Sequence, residues 1–154
     1  MGKTGIKREE ERSFVLQVLY ACEYNNEPWQ VLMQRIAEEQ QIPITVYVKQ
    51  MIMLSQEHRE EIDEEIKLKL KNWDYHRVAV IDRIILRMAL VELLYNRDIP
   101  PEVTMNEAIE LAKKYSTEKS NRFINGLIDA IYKKLKREGR IIKSGRGLIS
   151  RITE

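Results

Sequence analysis

A chain of 154 residues, 44% hydrophobic and 32% charged, has the size of one domain and the make-up of a well-solvated globular protein. No window approaches the ~20 apolar residues of a membrane span, and the start, Met1 to Lys7, lacks the apolar run of a secretory signal, so a cytoplasmic home is expected. A single cysteine, Cys22, excludes an intramolecular disulfide and a cysteine-rich zinc site.

The net charge of +2 is unevenly spread. Residues 25–70 hold nine acidic against five basic groups, whereas residues 133–154 hold eight basic against two acidic. A block of that density attracts phosphate by long-range Coulomb forces and counterion release. A solvated tail kept for solubility accounts for it equally well.

Taken in chain order, the first helix is predicted from Lys7 to Tyr24, with Phe14, Val15, Val18, Leu19 and Cys22 on one apolar face. Asn25-Asn26-Glu27-Pro28 ends it, because Pro28 cannot continue the hydrogen-bond ladder. A second helix, Trp29 to Gln40, is expected to bury Trp29, Val31, Leu32 and Ile36, and Pro43 breaks the chain again. Two more helices should fill 45–72, dividing near Ser55. The first carries Val48, Ile52 and Met53; the second carries Ile62, Ile66, Leu68, Leu70 and Trp73.

Val78 to Tyr95 differs in kind, since apolar residues occupy most of its circumference and such a helix must be surrounded by protein. It reads as the central core helix. Asn96 to Pro101 is a breaker, and Thr104-Met105-Asn106-Glu107 matches a capping box opening a helix at about 105–115. The last helix begins near Thr117, buries Phe123, Ile124, Leu127, Ile128, Ile131 and Leu135, and should fray through Lys136–Gly139. The fold class is therefore all-α, with six or seven helices and no strand. Residues 1–138 read as one helical domain, and 139–154 as a basic, flexible tail, with 140–154 unstructured on their own.

Chemistry is sparse. His58 and His76 lie on different elements outside any metal-ligand spacing, and Cys22 reads as a buried structural thiol. The carboxylates Glu57, Glu60, Glu61, Asp63, Glu64 and Glu65 read as a solvated helix face. Gly145-Arg146-Gly147 lacks the lysine and hydroxyl of a phosphate loop. No metal, cofactor or enzymatic activity is expected. Asp82, Arg83 and Arg87 interrupt the core helix, where a charge must be paired or reach an edge. A structural pair, such as Arg87 with Glu107 or another carboxylate, is the plainer account; a protein-docking surface around Asp82 is the functional one.

Lys119-Ser120-Asn121-Arg122-Phe123-Ile124-Asn125-Gly126 joins two cations, amide and hydroxyl donors and an aromatic near a helix start. Those groups suit single-stranded RNA, through phosphate contact and base stacking. The plainer reading makes Phe123 a core residue; both hold if one ring edge stays exposed.

Three segments resemble the NusB family. Asp82-Arg83-Ile84-Ile85-Leu86-Arg87-Met88-Ala89-Leu90-Val91-Glu92-Leu93 is similar to its core-helix motif, and Asp98 to Lys113 to the next segment. Arg122-Phe123-Ile124-Asn125-Gly126-Leu127-Ile128-Asp129 is similar to its last. Gln17-Val18-Leu19-Tyr20 fits the family's first helix, and order and spacing agree across about residues 8–138. The resemblance implies two packed helical bundles, binding to boxA RNA of nascent ribosomal transcripts together with the ribosomal protein NusE, and entry into an RNA polymerase antitermination complex. It makes Lys7, Arg8, Arg12, Gln17, Lys119, Ser120, Arg122 and Phe123 RNA-contact candidates, and Asp82 a candidate for the NusE face.

One departure stands out. Family members commonly open with a dense arginine run, where this chain reads Lys7-Arg8-Glu9-Glu10-Glu11-Arg12. Each lost phosphate contact should lower the salt slope by roughly one, so weaker RNA binding by this chain alone is expected, with more reliance on NusE or the basic tail. The alternative is a protein-interaction domain of the same fold without an RNA role. Such domains also occur joined to ribosomal-RNA methyltransferases, for which these residues hold no catalytic segment. A homodimer through exposed apolar surface stays open.

Overall fold

The computed structural model describes residues 6–70 and 75–145. Regular structure among them is helical throughout, and it falls into two compact units, Met1–Glu57 and His58–Glu154, where length alone suggested one domain.

The first unit holds α1 (Arg8–Tyr24), α2 (Trp29–Gln40) and α3 (Val46–Glu57). α1 packs on both others, burying Phe14, Val15, Val18 and Leu19 with Leu32, Met33, Val48 and Ile52. Each such side chain contributes about 1.5–3 kcal/mol relative to an exposed one. Val31 is exposed instead of buried, because α2 turns Leu32 and Ala37 inward and Val31 lies about 100° from that line. Gln41 ends α2 in the left-handed conformation, its N–H donating to the carbonyls of Ala37 and Glu38. α3 begins where Thr45 Oγ1 accepts the Val48 N–H at 3.2 Å.

The second unit holds α4 (Arg59–Leu70), a 3₁₀ turn at Tyr75–Arg77, α5 (Val80–Tyr95), α6 (Pro101–Tyr115) and α7 (Glu118–Arg137). α5 is the central helix: every residue from Ile84 to Leu93 is buried, and α4, α6 and α7 all pack against it. The division between α3 and α4 falls at His58, three residues beyond the expected Ser55, which is itself fully buried. Leu68 is exposed rather than in the core, since Ile62, Ile66 and Leu70 define the inner line at a spacing of four and Leu68 lies opposite. Trp73 lies outside the described residues.

The capping-box reading is overturned. α6 starts at Pro101, whose missing N–H costs nothing at the first helical position, and Thr104 lies inside the helix. There the Thr104 hydroxyl donates to Glu92 Oε1 at 2.8 Å, joining two buried polar side chains of α6 and α5. Thr117 does cap α7, its Oγ1 accepting the Ser120 N–H at 3.1 Å.

The expectation of an unstructured stretch from residue 140 fails for 140–145. Ile141 and Lys143 are buried, and the Ser144 N–H donates to the Arg97 carbonyl at 2.9 Å. Lys143 Nζ donates to the carbonyls of Glu92 at 2.9 Å and Asn96 at 2.8 Å at the C-terminus of α5, where the Glu92 carbonyl also accepts the Asn96 N–H at 3.1 Å. The sequence shows no apolar period here because the anchor is a lysine. Residues 146–154 lie outside the described residues.

Candidate nucleic-acid interface

In the first unit the candidates sit at the start of α1. Lys7 is exposed, and its backbone N–H donates to Glu10 Oε1 at 3.3 Å. Arg8 keeps 49% of its side chain exposed, pairs with Glu11 Oε1 at 3.6 Å, and lays its guanidinium 4.0 Å from the centroid of the Tyr47 ring. Arg12 is a different case. It is 4% exposed, with its guanidinium 5.8 Å from the same ring. Arg12 shares a helix line with Val15 and Leu19 at i, i+3 and i+7, so it follows the buried face of α1. Gln17 is half-buried, and its Oε1 accepts from Gln40 Nε2 of α2.

Tyr47 is the residue that sequence reasoning missed. It is 7% exposed at the start of α3, and a second tie fixes it there: Thr45 Oγ1 donates to Glu11 Oε2. Both cations of α1 thus meet one aromatic of α3. No local pattern could reveal this, because the partners lie more than thirty residues apart in sequence.

In the second unit Lys119 and Arg122 are exposed, while Ser120 and Phe123 are half-buried on the first two turns of α7. Ile124, Leu127, Ile128 and Ile131 form the inner face of that helix, which leaves part of the Phe123 ring outside the core. Gly126 is exposed one turn further on, and a Cβ built there meets nothing within 4 Å. The surface beside Arg122 and Phe123 is therefore open.

Asp82 lies at 3% exposure, which is at odds with a residue displayed to a partner. Its Oδ1 accepts the Ser116 hydroxyl at 2.7 Å, tying the first turn of α5 to the residue between α6 and the Thr117 cap of α7. Its charge also sits favourably at a helix N-terminus. Replacing Asp82 with alanine is expected to lower stability by about 1–2 kcal/mol in urea denaturation; an unchanged midpoint would show that the bond to Ser116 carries no energy.

The basic block is largely spoken for. Lys134 Nζ meets Glu65 Oε1 at 2.8 Å and Arg140 Nη1 meets Glu65 Oε2 at 2.7 Å, with Glu138 serving both cations at 3.1 Å. Burial pushes the Glu65 carboxyl up, but the hydrogen bonds from Lys134 and Arg140 outweigh it and hold it below the usual range. Lys133 pairs with Asp129 at 2.9 Å, and Lys143 is buried. Lys136 Nζ lies 5.9 Å from the Tyr132 ring centroid, so Lys133, Lys134, Lys136, Arg140 and Lys143 all have partners among the described residues. Of the other two interrupting charges of α5, Arg83 holds its guanidinium 5.2 Å from the Tyr75 ring centroid, and Arg87 pairs with Asp63 Oδ1 at 3.3 Å, a carboxylate of α4. His58 stacks on Tyr95 at 4.4 Å and His76 meets the edge of Tyr75 at 5.9 Å.

The model of the NusB family matches residues 9–133. A transcription antitermination protein NusB from Chloroherpeton thalassium is 40% identical over 147 residues, covering 94% of this chain and 70% of that relative. One from Salinibacter ruber is 41% identical over 145 residues, covering 92% and 91%. Among solved structures, T. maritima NusB superposes with a TM-score of 0.79 at 35% identity, covering 85% of this chain and 94% of that one. A structure of the antitermination factors NusB and NusE in complex with double-stranded RNA gives 0.71 at 30% identity, covering 82% and 96%.

Proposed function

We propose, since this chain belongs to the NusB family, that it works as an RNA-binding transcription antitermination factor. It binds boxA RNA of nascent ribosomal transcripts together with NusE, within an RNA polymerase antitermination complex. It acts in the cytoplasm and as an adaptor, not as an enzyme. The observation that carries this reading is the group on the first turns of α7, where exposed Lys119 and Arg122 flank a partly exposed Phe123. Cations hold phosphate there, and the exposed part of the aromatic ring stacks an unpaired base. The solved relative with NusE and double-stranded RNA supports the partner assignment.

In this reading Lys7, Arg8 and Gln17 contribute from α1, and Ser120 from the capped start of α7. Arg12, being buried, acts by shaping that surface. Asp82 serves the NusE-binding face by fixing Ser116 and the corner between α6 and α7. Glu9 and Glu10 are exposed beside Arg8, so the chain alone binds weakly and gains affinity from NusE.

The test is a fluorescence-anisotropy titration of labelled single-stranded boxA RNA, with and without NusE. Replacing both Arg122 and Phe123 with alanine should weaken binding about ten- to thirtyfold, from one stacking contact and one phosphate contact. Helicity should stay intact, since neither side chain is in the core. Wild-type protein that binds neither the single strand nor a duplex in the presence of NusE would leave only the protein-interaction reading.

A further inference from the structure

We infer that Tyr47 is a positioning residue for RNA binding, its buried ring holding the Arg8 guanidinium ready for phosphate. The inference rests on the RNA-binding reading above.

A long arginine side chain in water samples many rotamers, and freezing it on a ligand costs affinity. Arg8 is already held. The central carbon of its guanidinium lies over the Tyr47 ring, 4.0 Å from the centroid, a distance at which the ring's electron-rich face attracts a cation. Stacking of this kind uses the flat face of the guanidinium and leaves its N–H donors in the plane of the group free to point elsewhere. With 49% of the side chain in solvent, that plane has access to an anion.

The ring itself is enclosed. Tyr47 is 7% exposed and lies two residues after Thr45, whose hydroxyl donates to Glu11 of α1 and accepts the Val48 N–H of α3. The first turns of the two helices are thereby tied together around the ring. The same bond engages one oxygen of Glu11, so the carboxylate that faces Arg8 at 3.6 Å has part of its charge satisfied elsewhere. Arg12 adds a second cation at 5.8 Å from the ring. Where a run of arginines would compensate for disorder by number, this chain has few cations at its start and holds one of them in place.

The experiment compares variants of the full chain with NusE and labelled single-stranded boxA RNA, at several salt concentrations. Tyr47→Leu should weaken binding about three- to tenfold with the salt slope unchanged, because no cation is lost. Tyr47→Phe keeps the ring and should bind as the wild type does. Arg8→Ala should weaken binding and lower the slope by about one, and adding Tyr47→Leu to it should change nothing further. Because Tyr47 is buried, Tyr47→Leu may be replaced by the exposed Arg8→Lys, which keeps the charge and loses the planar stack; it too should bind more weakly at the same slope. Full affinity in Arg8→Lys, or an equal loss from Tyr47→Leu with and without Arg8, overturns the positioning role while leaving RNA binding in place. Failure of the wild type to bind RNA overturns the reading beneath it.

Discussion

Replacing Asp63 with alanine is expected to destabilise the fold by about 3–5 kcal/mol, the cost of leaving a buried charge without its partner. Arg87 is 1% exposed in the middle of α5, the most enclosed helix of the chain. Its Nε and Nη2 reach Asp63 Oδ1 at 3.4 and 3.3 Å, and Nη2 also reaches the Tyr75 hydroxyl at 3.4 Å. Burial, the largest influence on Tyr75, raises its pKa and does not depend on Asp63, so the hydroxyl stays neutral and cannot replace the lost carboxylate. Arg59 meets the other oxygen of Asp63 at 3.9 Å from the more exposed side. Asp63→Asn keeps an acceptor but not the charge, and about half the loss should remain. Urea denaturation followed by circular dichroism measures both variants. A loss below about 1 kcal/mol for Asp63→Ala would mean that Arg87 draws its compensation from other groups.

The pair also shows what a sequence of this kind can and cannot convey. That Arg87 needed a carboxylate was legible, because a cation inside an apolar helix has no cheaper solution. Which carboxylate was not: Asp63 stood within an acidic run that reads as solvated surface, and only the packing of α4 on α5 turns it inward. The helices themselves were legible from period and breakers. The bounds of α2 agree at both ends, and α5 stands at the centre as its all-round apolarity required. The misplaced start of α6 came from a local motif competing with a tertiary bond: Thr104 looks like a cap but serves Glu92.

The candidate interface divides along the same line. Lys119, Arg122 and Phe123 follow from local spacing on one helix, and their exposure agrees with that spacing. Arg12 was open to correction from sequence too, since its register with Val15 and Leu19 marks the inner face. Tyr47 was beyond reach. Its contact with Arg8 depends on where α3 lies against α1, and a buried tyrosine on an apolar helix gives no sign of the cation above it. Exposed candidate residues are thus read from a helix wheel, whereas the buried groups packed against them require the tertiary structure.

Raising the pH from about 7.5 to about 9.5 should stabilise the protein by about 2 kcal/mol through Lys143 alone. Burial pushes the Lys143 pKa down to about 8, more than the nearby charges of Glu92 and Asp98 pull it up. An unfolded lysine keeps its ordinary value near 10.5. Above pH 8 the folded chain therefore releases a proton that the unfolded chain retains, and stability rises with pH until the unfolded lysine also deprotonates. At about 1.4 kcal/mol per pKa unit, the charged form costs on the order of 3 kcal/mol below that window. Two other groups act in the opposite direction but later. Tyr75 and Tyr95 have pKa values raised above 10.0, chiefly by burial, so they remove stability only once the unfolded tyrosines begin to ionise. Lys134 and Arg140, raised by their hydrogen bonds to Glu65, likewise lose their contribution only above the ordinary lysine and arginine range. Among the groups with shifted values, only Lys143 raises stability between pH 8 and 10, and its neutral amine still has N–H groups for the carbonyls of Glu92 and Asn96. Urea midpoints across that range should climb for the wild type and stay level for Lys143→Met. The same climb in both proteins would place the titrating group elsewhere.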